Sequence, residues 1–261
     1  MSPAPLGQNF LASASWRERI VNLLNVRDTE TWIEIGAGHG EMTELLAARA
    51  RFVFAIEVDS HLAAGLRPRA WRNAKIIEAD VLATNIAQLA GAARYRIYGS
   101  IPYYITSPIL HHIFAQERRP DIAYLVMQLE VAERLVSPPG HRAYGYLSAA
   151  TQFHSAPEIV CRIPPGAFKP PPKVDSALVR LKFPGASASL RVSDSADFLN
   201  FVQACFSQKR KTIANNLRAI AAKKTFVDEI LAKTGISPSE RAEQLTLQQF
   251  VALYDARNSL A

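Results

Sequence analysis

Ser100-Ile101-Pro102-Tyr103 sets a small hydroxyl, a proline and an aromatic ring in consecutive positions. That set suits chemistry on an exocyclic amine, whose lone pair is drawn into its ring and is therefore a poor nucleophile. The Ser100 hydroxyl and the Ile101 or Pro102 carbonyl can accept the two N–H bonds and pull the nitrogen towards tetrahedral geometry. Tyr103 can stack on the ring and hold it. The same four residues also suit a tight turn with a surface tyrosine. A serine nucleophile is disfavoured, because the nucleophile elbow wants glycine two places after the serine and Pro102 stands there. Residues 94–99 before this stretch alternate as a strand should, and Thr106 or Ser107 after it can cap a helix with Pro108 in its first turn.

A second candidate lies upstream. The apolar strand 31–35 runs into Gly36-Ala37-Gly38-His39-Gly40, and Met42, Leu45 and Leu46 then follow at helical spacing. Glycines in such a turn let the backbone approach a ligand at a helix start. The third glycine comes too early for a dinucleotide fingerprint, and no G-K-[ST] triplet follows for a P-loop. The next strand, 52–56, ends in Glu57-Val58-Asp59, and the one after it, 74–78, delivers Ala79-Asp80. A carboxylate at the second strand tip can accept both hydroxyls of an adenosine ribose, and Asp80 can accept from an adenine amino group. Each acid alone reads as a solvated strand end. In this order, after the glycines, they point to S-adenosylmethionine, which needs no phosphate-binding lysine. His39 reads as a solvent-facing turn residue.

With these pieces in place, the chain resembles the ribosomal RNA adenine-N6,N6-dimethyltransferases, and their housekeeping small-subunit branch in particular. The resemblance rests on Leu6-Gly7-Gln8-Asn9-Phe10-Leu11, the 34–40 loop, Ala55-Ile56-Glu57-Val58-Asp59 and Ile101-Pro102-Tyr103. It continues through residues 130–135, residues 143–148, Phe168-Lys169-Pro170-Pro171-Pro172-Lys173-Val174-Asp175-Ser176 and Gln208-Lys209-Arg210-Lys211-Thr212. It implies that Asn9, Leu11, Gly36, Glu57, Asp80 and Ser100 line the cofactor site. It also implies that Ser100, Pro102 and Tyr103 face the target base and that Phe168 packs on the base's other side. An adenine taken out of its stack needs such an aromatic sandwich. Methyl transfer from a sulfonium is an in-line displacement, so no catalytic acid or base is assigned. The family usually carries asparagine at Ser100, proline at Ala37 and aspartate at Ser13, and a basic arm where this chain has Met1-Ser2-Pro3-Ala4-Pro5.

These residues need a scaffold. Strands are expected at 31–35, 52–56, 74–78, 94–99, 123–127, 158–163 and 177–183, the early ones separated by helical stretches. That pattern reads as an α/β fold, and the resemblance makes it a class I methyltransferase: a Rossmann-like seven-stranded, mostly parallel sheet. The last two strands have only the proline-rich 164–172 loop between them and are expected as an antiparallel addition. The small, flexible stretch 184–189 marks a boundary between a cofactor-binding domain, 1–184, and an all-helical RNA-binding domain, 190–261. In the second domain, helices are expected over 196–217, 224–234 and 246–257, with another start at Ser237-Pro238-Ser239-Glu240. RNA is expected to pass over the cleft between the two domains.

Bulk composition fits. The chain has 261 residues, nearly half of them hydrophobic, and a net charge of +7 suited to a polyanionic partner. Residues 191–224 carry a local excess of five positive charges, from Arg191, Lys209, Arg210, Lys211, Arg218, Lys223 and Lys224 against Asp194 and Asp197. With residues 204–217 read as one helix, Lys209, Arg210 and Lys211 point three ways, and at least two face solvent and RNA phosphates. Cys161 and Cys205 lack paired spacing and fit reduced thiols, and His111 and His112 diverge on a helix, so no metal is expected. No apolar run reaches membrane-spanning length and no signal-peptide pattern opens the chain, so a cytoplasmic protein is expected, and the family resemblance implies a monomer. The partners that the resemblance implies are small-subunit ribosomal RNA and a pre-small-subunit assembly intermediate. Two other readings stand beside this one: an assembly or organellar transcription factor of the same fold with weak catalysis, and a large-subunit resistance methylase.

Overall fold

The computed structural model describes residues 9–220 and 225–259. Leu6, Gly7 and Gln8 of the opening motif, and Lys223 and Lys224 of the basic block, lie outside them. The described residues divide into two compact units, one of those up to 132 with 157–183 and the other of 133–156 with those from 184 onward.

The first unit is an α/β layer. Its strands are β1 (Phe10–Leu11), β2 (Thr31–Ile35), β3 (Phe52–Glu57), β4 (Ala74–Glu78), β5 (Tyr95–Ser100), β6 (Ile122–Gln128), β7 (Ala156–Ile163), β8 (Phe168–Lys169) and β9 (Ser176–Lys182). Seven of them form one sheet in the order β4-β3-β2-β5-β6-β9-β7. The neighbours from β4 to β6 are parallel, and β9 runs antiparallel to β6. All five residues of β2 are buried, as befits a strand covered on both faces. The chain steps outward from β2 to β4 and then returns to build β5 and β6 on the other side of β2. The order therefore reverses between β2 and β5, and the carboxyl ends of the strands open a crevice there.

Local chemistry sets the elements that flank this edge. Helix α1 (Ala14–Leu24) buries Ile20, Val21 and Leu24, and its N-cap is Ser13, which accepts from the Trp16 N–H at 3.4 Å. Serine and aspartate are comparable N-caps, so Ser13 can replace the residue usual there. Helix α2 (Glu41–Ala47) starts at Gly40, whose φ of +82° is left-handed. A Cβ at Gly40 would stand 2.5 Å from a methyl of Leu66 at the end of α3 (Ser60–Leu66), so a side chain here would press on Leu66 as well as strain the left-handed backbone. Helix α4 (Ile86–Leu89) joins β4 to β5. Helix α5 (Thr106–Ala115) corrects one expectation: its N-cap is Ile105, with no side-chain cap, while the Thr106 hydroxyl donates to the Tyr103 carbonyl at 3.2 Å. Pro108 does lie in the first turn.

The helical unit corrects three more. Helix α6 (Leu129–Val136) leads into it and α7 (Tyr146–His154) belongs to it, although the boundary read from sequence puts both within the first domain. The reason is long-range: the Gly185 N–H donates to the His154 carbonyl at 2.9 Å, and Phe153 packs on Phe198 at 5.1 Å between ring centres. The single helix expected over 196–217 is two, α8 (Ser195–Cys205) and α9 (Ile213–Ile220). The Ile213 N–H leaves the helical ladder to donate to the Glu240 carbonyl at 2.6 Å, and residues 206–211 become a turn. Residues 237–240 are likewise a turn rather than a helix start, and α10 (Thr225–Thr234) and α11 (Leu247–Asn258) stand on either side of them. Phe198, Phe201, Phe250, Leu253 and Tyr254 fill the core of this unit, each burial worth about 1.5–3 kcal/mol.

Candidate functional site

The strand ends converge on one cleft within the first unit. Its lining includes Asn9, Leu11, Gly36, Glu57, Asp80, Ser100, Pro102, Tyr103 and Phe168, every site residue expected from the sequence. They reach it from four successive parallel strands and from the β1–β8 pair.

The glycine loop is held by backbone bonds. Gly36 and Ala37 donate to the Ile56 carbonyl at 2.9 and 3.2 Å, and Gly38 donates to Glu57 Oε2 at 2.8 Å. Gly38 has φ of +57°, and a Cβ there would meet the Phe10 ring at 3.3 Å, so the loop is compressed beneath β1. His39 is exposed and meets the edge of Phe10, with 4.6 Å between ring centres.

Glu57 is 2% exposed at the tip of β3. Its Oε1 accepts from the Asp59 N–H at 3.0 Å while Oε2 serves Gly38, so each oxygen keeps a lone pair for a further donor. That is the valence needed for two neighbouring hydroxyls. Asp59 instead caps α3 through the N–H groups of His61 and Leu62. Asp80 is exposed, and its Oδ1 accepts from the Leu82 N–H at 2.9 Å.

Sequence reasoning missed two residues of the floor, Glu34 and Tyr98, which are register partners on β2 and β5. Glu34 is 1% exposed, and Thr43 donates to its Oε2 at 2.6 Å. Burial pushes its carboxyl up to about 8 against the pull of the Thr43 bond, and the charges of Glu57 and Glu41 push the same way, so it holds its proton at neutral pH. The Tyr98 hydroxyl is buried without a hydrogen-bond partner among the described residues, and burial followed by Glu34 raises its pKa. The available signal was a carboxylate inside an otherwise apolar strand.

On the opposite side, Tyr103 opens a single 3-10 turn, 103–105, after β5. Its hydroxyl bonds to Ser176 Oγ at 2.7 Å, and Tyr104 beside it is 63% exposed. Phe168, 4% exposed, is the register partner of Leu11 across β1–β8, and the Ala167 carbonyl accepts from the Ala12 and Ser13 N–H groups. One short antiparallel pair thus joins Asn9 and Leu11 to Phe168.

The charge of the cleft selects its ligand. Glu41, Glu57 and Asp80 line it beside the protonated Glu34, whereas Arg17 is turned to the carbonyls of Leu11 and Ala12 at 2.9 and 2.7 Å. Apolar walls with acidic groups fit an adenosine carrying a sulfonium and an ammonium, and do not fit a polyphosphate. Among the described residues no group of His, Cys, Asp and Glu is arranged to hold a metal ion.

Known proteins match this chain along its length. It is 40% identical over 252 residues to ribosomal RNA small subunit methyltransferase A of Acidobacterium capsulatum, covering 95% of this chain and 89% of that protein. To the protein of the same name from Koribacter versatilis it is 40% identical over 267 residues, covering 97% and 93%. Among solved structures, a dimethyladenosine transferase from Plasmodium falciparum superposes with a TM-score of 0.83 at 24% identity, covering 96% and 98%. The 23S rRNA methyltransferase ErmE superposes at 0.73 with 27% identity, covering 96% and 100%. Residues 4–258 match the family model described as ribosomal RNA adenine dimethylase. The sheet is that of the class I methyltransferases, and the chain belongs to the ribosomal RNA adenine dimethylase family.

Proposed function

We propose that this chain is an S-adenosylmethionine-dependent ribosomal RNA adenine-N6,N6-dimethyltransferase acting on two adjacent adenines near the 3′ end of small-subunit RNA. The observation that carries the reading is the single cleft that holds a buried acceptor for a ribose, Glu57, and two aromatic walls for a base, Tyr103 and Phe168. The relatives at 40% identity bear a small-subunit name, which favours that RNA over the large-subunit one.

When bound, S-adenosylmethionine supplies a methyl group on a sulfonium. Glu57 receives the ribose hydroxyls, Asp80 the adenine amino group, and Asn9, Leu11 and Gly36 close the pocket. Tyr103 and Phe168 sandwich the target adenine. Ser100 Oγ accepts one N6–H. The Ile101 carbonyl accepts the other; the Pro102 carbonyl takes the Ile105 N–H at 3.1 Å. Held this way, the nitrogen lone pair would face the sulfonium methyl for in-line displacement of the thioether, and the proton of the resulting ammonium would pass to water. Pro102 stiffens the turn that sets this geometry. The substrate we assign is a partly assembled small subunit, and the enzyme acts as a monomer. Among the described residues no helix is long and apolar enough to cross a membrane.

The test is methyl transfer from labelled S-adenosylmethionine to small and large subunits from a strain lacking the modification, followed by nuclease digestion. Dimethyladenosine at two adjacent adenines of small-subunit RNA is the expected product. Binding to the subunit without transfer would overturn the enzyme reading, and label on the large subunit would overturn the choice of RNA.

A further inference from the structure

We propose that Ser176 is the positioning residue of Tyr103, a latch that sets one aromatic wall of the base pocket. The inference rests on the proposed adenine-methylating role of the cleft.

Tyr103 stands on a three-residue turn that holds no ring in place by itself. The Ile101 N–H to Val126 carbonyl bond, at 3.4 Å, is the last link of this exit to β6. Its phenol is instead tied across the sheet to a residue 73 positions away. Ser176 is a firm anchor. It is fully buried, it opens β9, and it is the antiparallel register partner of Gln128. The Leu129 N–H, donating to the Asp175 carbonyl at 2.9 Å, fixes the entry to that strand.

With its phenol bonded to the serine, Tyr103 offers the base its ring face. Burial raises the phenol's pKa, in keeping with a neutral ring. Moreover, Phe168 and Ser176 lie at the two ends of one connection, residues 168–176. That segment therefore places both walls, Phe168 directly and Tyr103 through the latch. In-line transfer is sensitive to small displacements of the acceptor nitrogen, so a ring free to swing lowers turnover without touching the cofactor.

The test is a double-mutant cycle of Ser176→Ala and Tyr103→Phe, measured as methyl transfer at saturating S-adenosylmethionine and saturating small subunits from a strain lacking the modification. Each single change lowers kcat about tenfold. The double variant is no worse than either single, Ser176→Thr restores activity, and the calorimetric Kd for S-adenosylmethionine stays within about twofold of wild type. Additive losses, normal kcat in Ser176→Ala, or cofactor affinity falling with kcat would each overturn the latch. If Ser176→Ala does not fold, Tyr103→Phe removes the same bond from its more open end. One readout is independent of turnover: the 13C resonance of Tyr103 Cζ, which reports the phenol's hydrogen bond, shifts in Ser176→Ala, and an unmoved resonance overturns the proposal. Inactive wild-type protein would instead overturn the enzyme reading, with the resonance still testing the latch.

Discussion

Glu34 and Glu57 are both buried carboxyl groups in one cleft, yet their surroundings give them opposite tasks. Glu57 accepts two backbone N–H bonds, while Glu34 has one hydroxyl donor, Thr43, and stays protonated up to about pH 8. Glu57→Ala should weaken S-adenosylmethionine binding by about a hundredfold, since hydrogen bonds to a charged group are each worth about 1.5–3 kcal/mol. RNA binding should hardly change. Calorimetry with the cofactor and filter binding with RNA check this, and equal loss of both would remove Glu57 from the ribose position. For Glu34 the sign runs through linkage. Its folded-state value lies above the unfolded value of 4.5, so the native state keeps a proton that the unfolded chain releases between about pH 4.5 and 8. Stability therefore falls as pH rises through that window. Glu34→Gln removes the effect and keeps an acceptor for Thr43, so its advantage over wild type should grow from pH 5 to pH 8, by at most a few kcal/mol. Urea unfolding at the two pH values measures it; an equal advantage at both would mean Glu34 is ionised in the native protein.

At the scale of elements, the cleft is made by strand ends and by the turns that follow them. The 36–40 loop carries three left-handed glycines, at 36, 38 and 40, and each bond it makes to β3 depends on that path. Gly40→Ala would force a left-handed alanine, costing about 1–2 kcal/mol, and would also press on Leu66. We expect a loss of about 1–3 kcal/mol in denaturant unfolding, and a wild-type midpoint would show that α3 yields to make room. The β5 exit works on the same principle: a short turn aims the side chains, and distant strands hold them.

For the whole molecule, the significant asymmetry is between a positive chain and an acidic cleft. The net charge of +7 suits RNA, whereas Glu41, Glu57 and Asp80 suit a cation. In the helical unit Lys209, Arg210 and Lys211 are all exposed on the 206–211 turn, a freer presentation than consecutive positions on a helix would allow. Replacing all three by glutamine should lower the slope of log K against log salt for RNA binding by about two, at roughly 0.7 for each phosphate no longer neutralised. An unchanged slope would place the RNA elsewhere.

The sequence by itself determined the elements whose signals are local. The apolar runs at 31–35 and 74–78 match β2 and β4, and the glycines and acids fall at the strand tips where a parallel sheet exposes them. The family followed from ordered motifs, and with it the residues gathered in the cleft. Only tertiary structure decided the rest, because those features depend on groups far apart in the chain. Residues 206–212 read as helix by pattern, but Ile213 gives its N–H to Glu240. Segment 133–156 looks continuous with the sheet, but Phe153 and His154 pack with residues beyond 184. Glu34 is neutral because its neighbours exclude water, and Tyr103 is tethered because Ser176 arrives on another strand. Periodicity and capping are written within a few residues of themselves; burial and cross-strand pairing exist only once the chain has closed on itself.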